Sequence, residues 1–178
     1  AGASESAAEK IILYLHRDRT ARGGIESNRF DHAALSREKV RLISLDAAPF
    51  NETLHLLASS STAYSVKHII NVVAGLPPGK EISLVNEVDD VGQFAALWEP
   101  RISELIIAGN PHQSPPRQSY RWSGVVPGMK RLIDREGLVA LLAPLPVHVE
   151  NSAGLASVPL IEAWKERGSP ELLTFEEP

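Results

Sequence analysis

Five short apolar runs constrain this chain most: IILYL (11–15), VRLISL (40–45), EISLVNEV (81–88), ELIIAG (104–109) and LVALLA (138–143). Each has the length and branched-residue content of a buried strand. The sequence between several of them has helical spacing instead. Val66, Ile69, Ile70 and Val73 form the cleanest stripe, ended by GLPPG (75–79). Its upstream part begins near Asn51, and SSST at 59–62, poor in helix propensity, divides 51–75 into two helices. A second helix starts at Asp89 or Asp90, with those aspartates as caps. It puts Val91, Phe94, Ala95 and Trp98 on one face and stops before Pro100.

A third helix is expected over 127–136, with Pro127 in its first turn, Met129, Leu132 and Ile133 inward, and Gly137 as its terminal cap. A fourth starts near Ser157, which leaves Pro159 in the tolerated first turn, turns Leu160, Ile161 and Trp164 inward and ends at Gly168.

Parallel neighbours need a crossover, and the crossovers cover the sheet. The alternation therefore predicts an α/β fold: one three-layer Rossmann-like domain over 10–178 with a mainly parallel five- or six-stranded sheet, after a flexible N-terminal segment over 1–9. The residues expected to be buried are Val66, Ile69, Ile70, Val73, Phe94, Trp98, Ile106 and Leu141.

Composition removes whole function classes. The 178 residues are 43% hydrophobic and 22% charged, enough for one sizeable core. A net charge of −4 argues against general nucleic-acid binding, which needs a positive surface to displace counterions from phosphates. Without cysteine there are no disulfides, thiolate zinc sites, iron–sulfur clusters or cysteine nucleophiles. No apolar run is long enough to span a bilayer, and AGASESAAEK lacks the basic start and apolar middle of a secretory signal, so a soluble cytoplasmic protein without membrane partners is expected. G-x-G-x-x-G, G-x-x-x-x-G-K-[ST], H-E-x-x-H and G-x-S-x-G are all missing, which disfavours ordinary dinucleotide dehydrogenases, P-loop nucleotidases, zincin proteases and elbow-type serine hydrolases.

In open α/β sheets ligands bind beyond the carboxyl ends of the strands. Those ends carry His16 and Arg17, Asp46, Asn86 and Glu87, Asn110 and His112, and His148 with Glu150. Strand ends also turn polar simply by leaving a core, so position alone decides little. The stretch VHVENSAG (147–154) is the sharpest: at period two His148 and Glu150 share a face, suiting acid–base work or a metal, against the plainer reading of a surface pair. A metal needs a third converging ligand. His112 and Asp46 are candidates, neither can be placed, and no metal or cofactor is expected.

The amides near Asn151 and Ser152 could form an anion nest. Arg17, Arg19 and Arg22 lie beside Gly23 and Gly24, and Arg117 and Arg121 flank Tyr120 and Trp122. Guanidinium forks suit phosphate, although interleaved Asp18, Glu26 and Asp31 also fit a solvated loop, and the second pattern also fits an edge strand. His68, inside the helical stripe region, reads as a surface or packing residue.

These residues lead to a non-catalytic module that binds or senses an anionic, nucleotide-type small molecule through Arg17, Arg19, Arg22, Asp46, Asn110, His112, Arg117, Arg121, His148, Glu150, Asn151 and Ser152. The closing run APLPVHVENSAGLASVPLIEAWKERGSPELLTFEE is similar, over a small part of the chain and without a diagnostic motif, to the closing segment of nucleotide-second-messenger sensor domains of the SAVED/CARF type. Two other readings stand beside it. One is a small hydrolase or transferase using His148, Glu150, Asp46 or His112 for acid–base or metal-assisted chemistry. The other is a structural subunit that assembles, for example as a homo-oligomer, through exposed apolar helices.

Overall fold

The computed structural model describes residues 9–16, 30–46, 61–87, 90–108, 135–150 and 158–176. Six strands form one sheet: β1 (Lys10–His16), β2 (Val40–Asp46), β3 (Glu81–Asn86), β4 (Ile102–Ala108), β5 (Val147–Glu150) and β6 (Leu173–Phe175). They run in the order β2-β1-β3-β4-β5-β6, and every neighbouring pair is parallel. The described helices are α1 (His32–Arg37), α2 (Ser61–Ala74), α3 (Val91–Trp98), α4 (Arg135–Ala140) and α5 (Val158–Glu166). The expected three-layer α/β architecture is observed.

The strand order dictates which face each helix covers. From β1 the chain steps outward to β2, then crosses back over β1 to β3 and proceeds in one direction to β6. Right-handed crossovers therefore put the β1–β2 connection on one face and all later ones on the other. The core agrees. Val66, Ile69 and Val73 of α2, Val91 and Ala95 of α3, Val139 of α4, and Leu160 and Trp164 of α5 pack with Ile11, Leu13, Leu15, Ile82, Leu84, Leu105, Ile107, Val147 and Val149 of the strands. The opposite face has a much smaller apolar patch, in which Phe30, Ile12, Leu42 and Ile106 surround Tyr14, Val85 and Ala108.

Local chemistry fixes the helix ends. Asp31 caps α1, its Oδ1 accepting from the Ala33 and Ala34 amides at 2.9 and 3.1 Å. Arg101, just before β4, donates to the carbonyls of Val73, Leu76 and Pro77 at 2.7, 3.1 and 2.7 Å, satisfying acceptors at and beyond the end of α2. Gly168, at φ +71°, closes α5 as expected, with its amide on the Lys165 carbonyl at 3.0 Å. Pro159 is the second residue of that helix.

Several sequence expectations are corrected. Residues 138–140 of LVALLA are helical, Gly137 lies inside α4 rather than capping a helix, and Leu141 is 60% exposed. The fifth strand is instead Val147–Glu150, and β6 follows from a segment not read as a strand. Trp98 is 73% and Ile161 38% exposed, whereas Ile70, Phe94 and Ile106 are partly buried and Val66, Ile69 and Val73 fully so. Asp90 occupies the N-cap of α3 but makes no side-chain cap hydrogen bond. The proposed helix over 127–136 lies outside the described residues apart from its last two positions, which begin α4, and so does the start near Asn51. No described helix is long and apolar enough to cross a membrane.

Candidate functional site

The reversal of direction after β2 leaves a switch point between β1 and β3, where the connections from their carboxyl ends leave toward opposite faces. A crevice outside those ends is where such sheets bind ligands. His16 closes β1 there. It is only 2% exposed, and its Nε2 lies 2.7 Å from Ser44 Oγ of β2. The pairing follows from register: Tyr14 is opposite Ser44 and His16 opposite Asp46, so period two puts all four on one face with His16 and Ser44 diagonal. The Tyr14 ring supports the imidazole at 5.5 Å between centroids, and Phe30 meets Tyr14 edge-on at 5.3 Å. A hydroxyl within reach of an imidazole is the elementary arrangement for activating an oxygen nucleophile.

On the other face of the same edge, Asn86 ends β3 and is 2% exposed. Its Nδ2 donates to Gln93 Oε1 of α3 at 3.0 Å. Gly92 lets the helix approach this closely: a Cβ there would stand 2.5 Å from Asn86 Cβ and 2.6 Å from its Cγ. The buried Gln93 Nε2 has no hydrogen-bond partner among the described residues. The Glu87 amide donates to the Leu15 carbonyl at 3.1 Å, tying the two strand ends together.

A second polar group lies at β5 and β6. His148 and Glu150 share a face as expected, and parallel register sets His148 beside Thr174. The hydroxyl of Thr174 lies 2.7 Å from His148 Nδ1. Glu176, whose amide donates to the Val149 carbonyl at 2.8 Å, follows β6 directly. One ligand atom from each of His148, Glu150 and Glu176 lies within 4.8 Å of the others. Glu176 is thus a third converging side chain, where none could be placed from the sequence and His112 and Asp46 were the candidates.

The sequence candidates do not all converge. Asp46 ends β2 and His148–Glu150 lie on β5, four positions along the strand order, which at about 4.8 Å per strand separates them by about 19 Å. Only the backbone of Asp46 is described. Arg17, Arg19, Arg22, Asn110, His112, Arg117, Arg121, Asn151 and Ser152 lie outside the described residues. Sequence reasoning missed Ser44 and Glu176. Ser44 was visible in principle, two residues before Asp46 on the same strand face.

No family model matches the chain, and no curated protein matches it. A solved structure from Bacteroides fragilis, provisionally described as an acetyl xylan esterase, is similar to it with a TM-score of 0.67 at 12% identity. The alignment covers 98% of this chain and 60% of that one, so this chain spans less than two thirds of the other protein's length. At that identity the likeness establishes the fold alone.

Proposed function

We propose that this chain is a hydrolase-type α/β domain that acts on a small ester at the carboxyl ends of β1 and β2, beside the switch point, with Ser44 as nucleophile and His16 as its base. The observation that carries the reading is the 2.7 Å approach of His16 Nε2 to Ser44 Oγ at the edge where such sheets bind ligands. In the reaction Ser44 Oγ attacks the acyl carbonyl while His16 Nε2 takes the hydroxyl proton. The imidazolium returns that proton to the departing alkoxide, leaving an acyl-serine. Water then attacks the acyl carbon while giving a proton to His16, the bond to Ser44 Oγ breaks, and the imidazolium returns the proton to Oγ as the acid leaves. The likeness in fold to a provisional acetyl xylan esterase is consistent with a short acyl group.

The anionic, nucleotide-type binding reading rests on the sequence, since Arg17, Arg19, Arg22, Arg117 and Arg121 lie outside the described residues. Both can be tested together on the full chain. A fluorophosphonate probe should label Ser44, and 4-nitrophenyl acetate should be turned over, with both signals lost in Ser44→Ala and turnover reduced at least a hundredfold in His16→Gln. An unlabelled, inactive wild type would overturn the hydrolase reading. If a nucleotide panel then raised its melting temperature, the sensing reading would take its place.

A further inference from the structure

We infer that His148, Glu150 and Glu176 form a binding site for one divalent transition-metal ion, of the zinc, manganese or cobalt class, at the carboxyl end of β5 and β6. This does not rest on the acyl-transfer reading: β5 is three positions from β1 in the sheet, about 14 Å from the His16–Ser44 pair.

The backbone does most of the placing. His148 and Glu150 are two residues apart on one strand and therefore project from the same face, and the parallel register with β6 brings Glu176 alongside. The three candidate ligand atoms, one per residue, lie within 4.8 Å of one another. Ligands of a tetrahedral or octahedral ion at about 2.0–2.2 Å stand about 3–3.5 Å apart, so small side-chain rotations complete the set. The Thr174 hydroxyl lies 2.7 Å from His148 Nδ1, a contact that orients the ring. A hydrogen bond on the second ring nitrogen is the usual support of a metal-binding histidine.

The donor set selects the class of ion. One imidazole nitrogen with two carboxylate oxygens suits zinc, manganese or cobalt, whereas magnesium and calcium prefer oxygen alone. Three protein ligands also leave coordination positions open to water or to an anionic group. His148 and Glu150 are partly buried and Glu176 exposed, so the ion has a path in.

The test is a titration of the chelator-stripped full chain with Co(II) alone, read by its visible d–d absorption, and with Mn(II) and Mg(II) by calorimetry. One equivalent of Co(II) should give saturable bands, and Mg(II) should bind at least tenfold more weakly. His148→Ala and Glu176→Gln should each weaken Co(II) binding at least tenfold, Thr174→Val by roughly tenfold, and Glu166→Gln, on α5, should leave it unchanged. Glu176→Gln changes an exposed side chain, so its loss of binding is separable from a failure of His148→Ala to fold. No saturable Co(II) signal, the same affinity in Glu176→Gln as in wild type, or an equal affinity for Mg(II) would overturn the site.

Discussion

The two faces of the sheet are made of the same six strands and have opposite chemistry. One carries Ile11, Leu13, Leu15, Leu84, Leu105, Ile107, Val147 and Val149 under α2 to α5. Around its small apolar centre, the other carries Lys10, Ser83 and Glu104 toward the amino end, and His16, Ser44, His148 and Thr174 toward the carboxyl end. The difference follows from topology. Four successive crossovers of the same hand cover the first face, so a polar side chain there loses water and is kept only where a covering helix supplies a partner, as Gln93 does for Asn86. The second receives only the β1–β2 connection among the described elements, and its strands can keep groups that do chemistry. The apolar core and the polar groups are thereby carried by alternate residues of the same strands.

The comparison breaks most sharply at Trp164. It is fully buried between α5 and the sheet, and its Nε1 donates to the Leu145 carbonyl at 3.1 Å. Trp164→Ala leaves a cavity and an unpaired carbonyl, and large aromatic truncations of this kind cost about 3–5 kcal/mol. Chemical denaturation should show the midpoint falling without a large change in slope. A loss under about 1 kcal/mol would mean that the helical face is not the sealed one.

Next comes Gly92, where the apolar face closes over the carboxyl edge. Glycine to alanine inside a helix ordinarily gains up to about 1 kcal/mol. Here the new methyl would meet Asn86 Cβ at 2.5 Å, and the obstacle is a short buried side chain hydrogen-bonded to Gln93 rather than a flexible tip. Crowding should win, and Gly92→Ala should lose about 1–3 kcal/mol in a thermal melt. An increase in stability would show that α3 can move away from β3, and that the close approach is not what orders the Asn86 amide.

The contrast between faces also explains what the sequence could reveal. The central strands were legible because β1 and β3, buried along most of their length, are nearly continuous apolar runs, and the Val66–Val73 stripe was legible because its period is unbroken. LVALLA was misread because six apolar residues fit a buried helix turn as well as a strand, and periodicity over so short a span cannot separate them. Trp98 keeps the period of α3 yet is exposed, since a stripe gives a direction and not the presence of a neighbour at that level. His148 and Glu150 were legible through period two. Glu176 was not, because β6 is three residues long, LTF, and without that strand nothing ties residue 176 to residue 150. Ser44 was passed over as one small polar residue in an apolar run, and only the register of β1 with β2 makes it a partner of His16.

The smallest expected effect belongs to the polar face itself. Burial raises the Glu104 pKa, but hydrogen bonds from Ser83 and Lys10, together with the charges of Lys10 and His148, outweigh it and hold the carboxyl below the ordinary glutamate value of 4.5. A carboxylate with a lowered folded pKa binds protons less readily than in the unfolded chain. Its contribution is therefore complete above the ordinary value and disappears as pH falls through the folded one. Lys10 Nζ stands 3.0 Å away, and both side chains are about one third exposed, which screens the pair. Glu104→Gln should cost on the order of 1 kcal/mol or less at neutral pH, and the cost should shrink further in high salt. Between about pH 5 and pH 3 wild type should lose stability more steeply than Glu104→Gln, because only wild type has this proton to take up. Parallel acid slopes for the two proteins would mean that Glu104 is held no more tightly than in the unfolded chain, and that its contacts with Ser83 and Lys10 add nothing to the stability that the apolar face supplies.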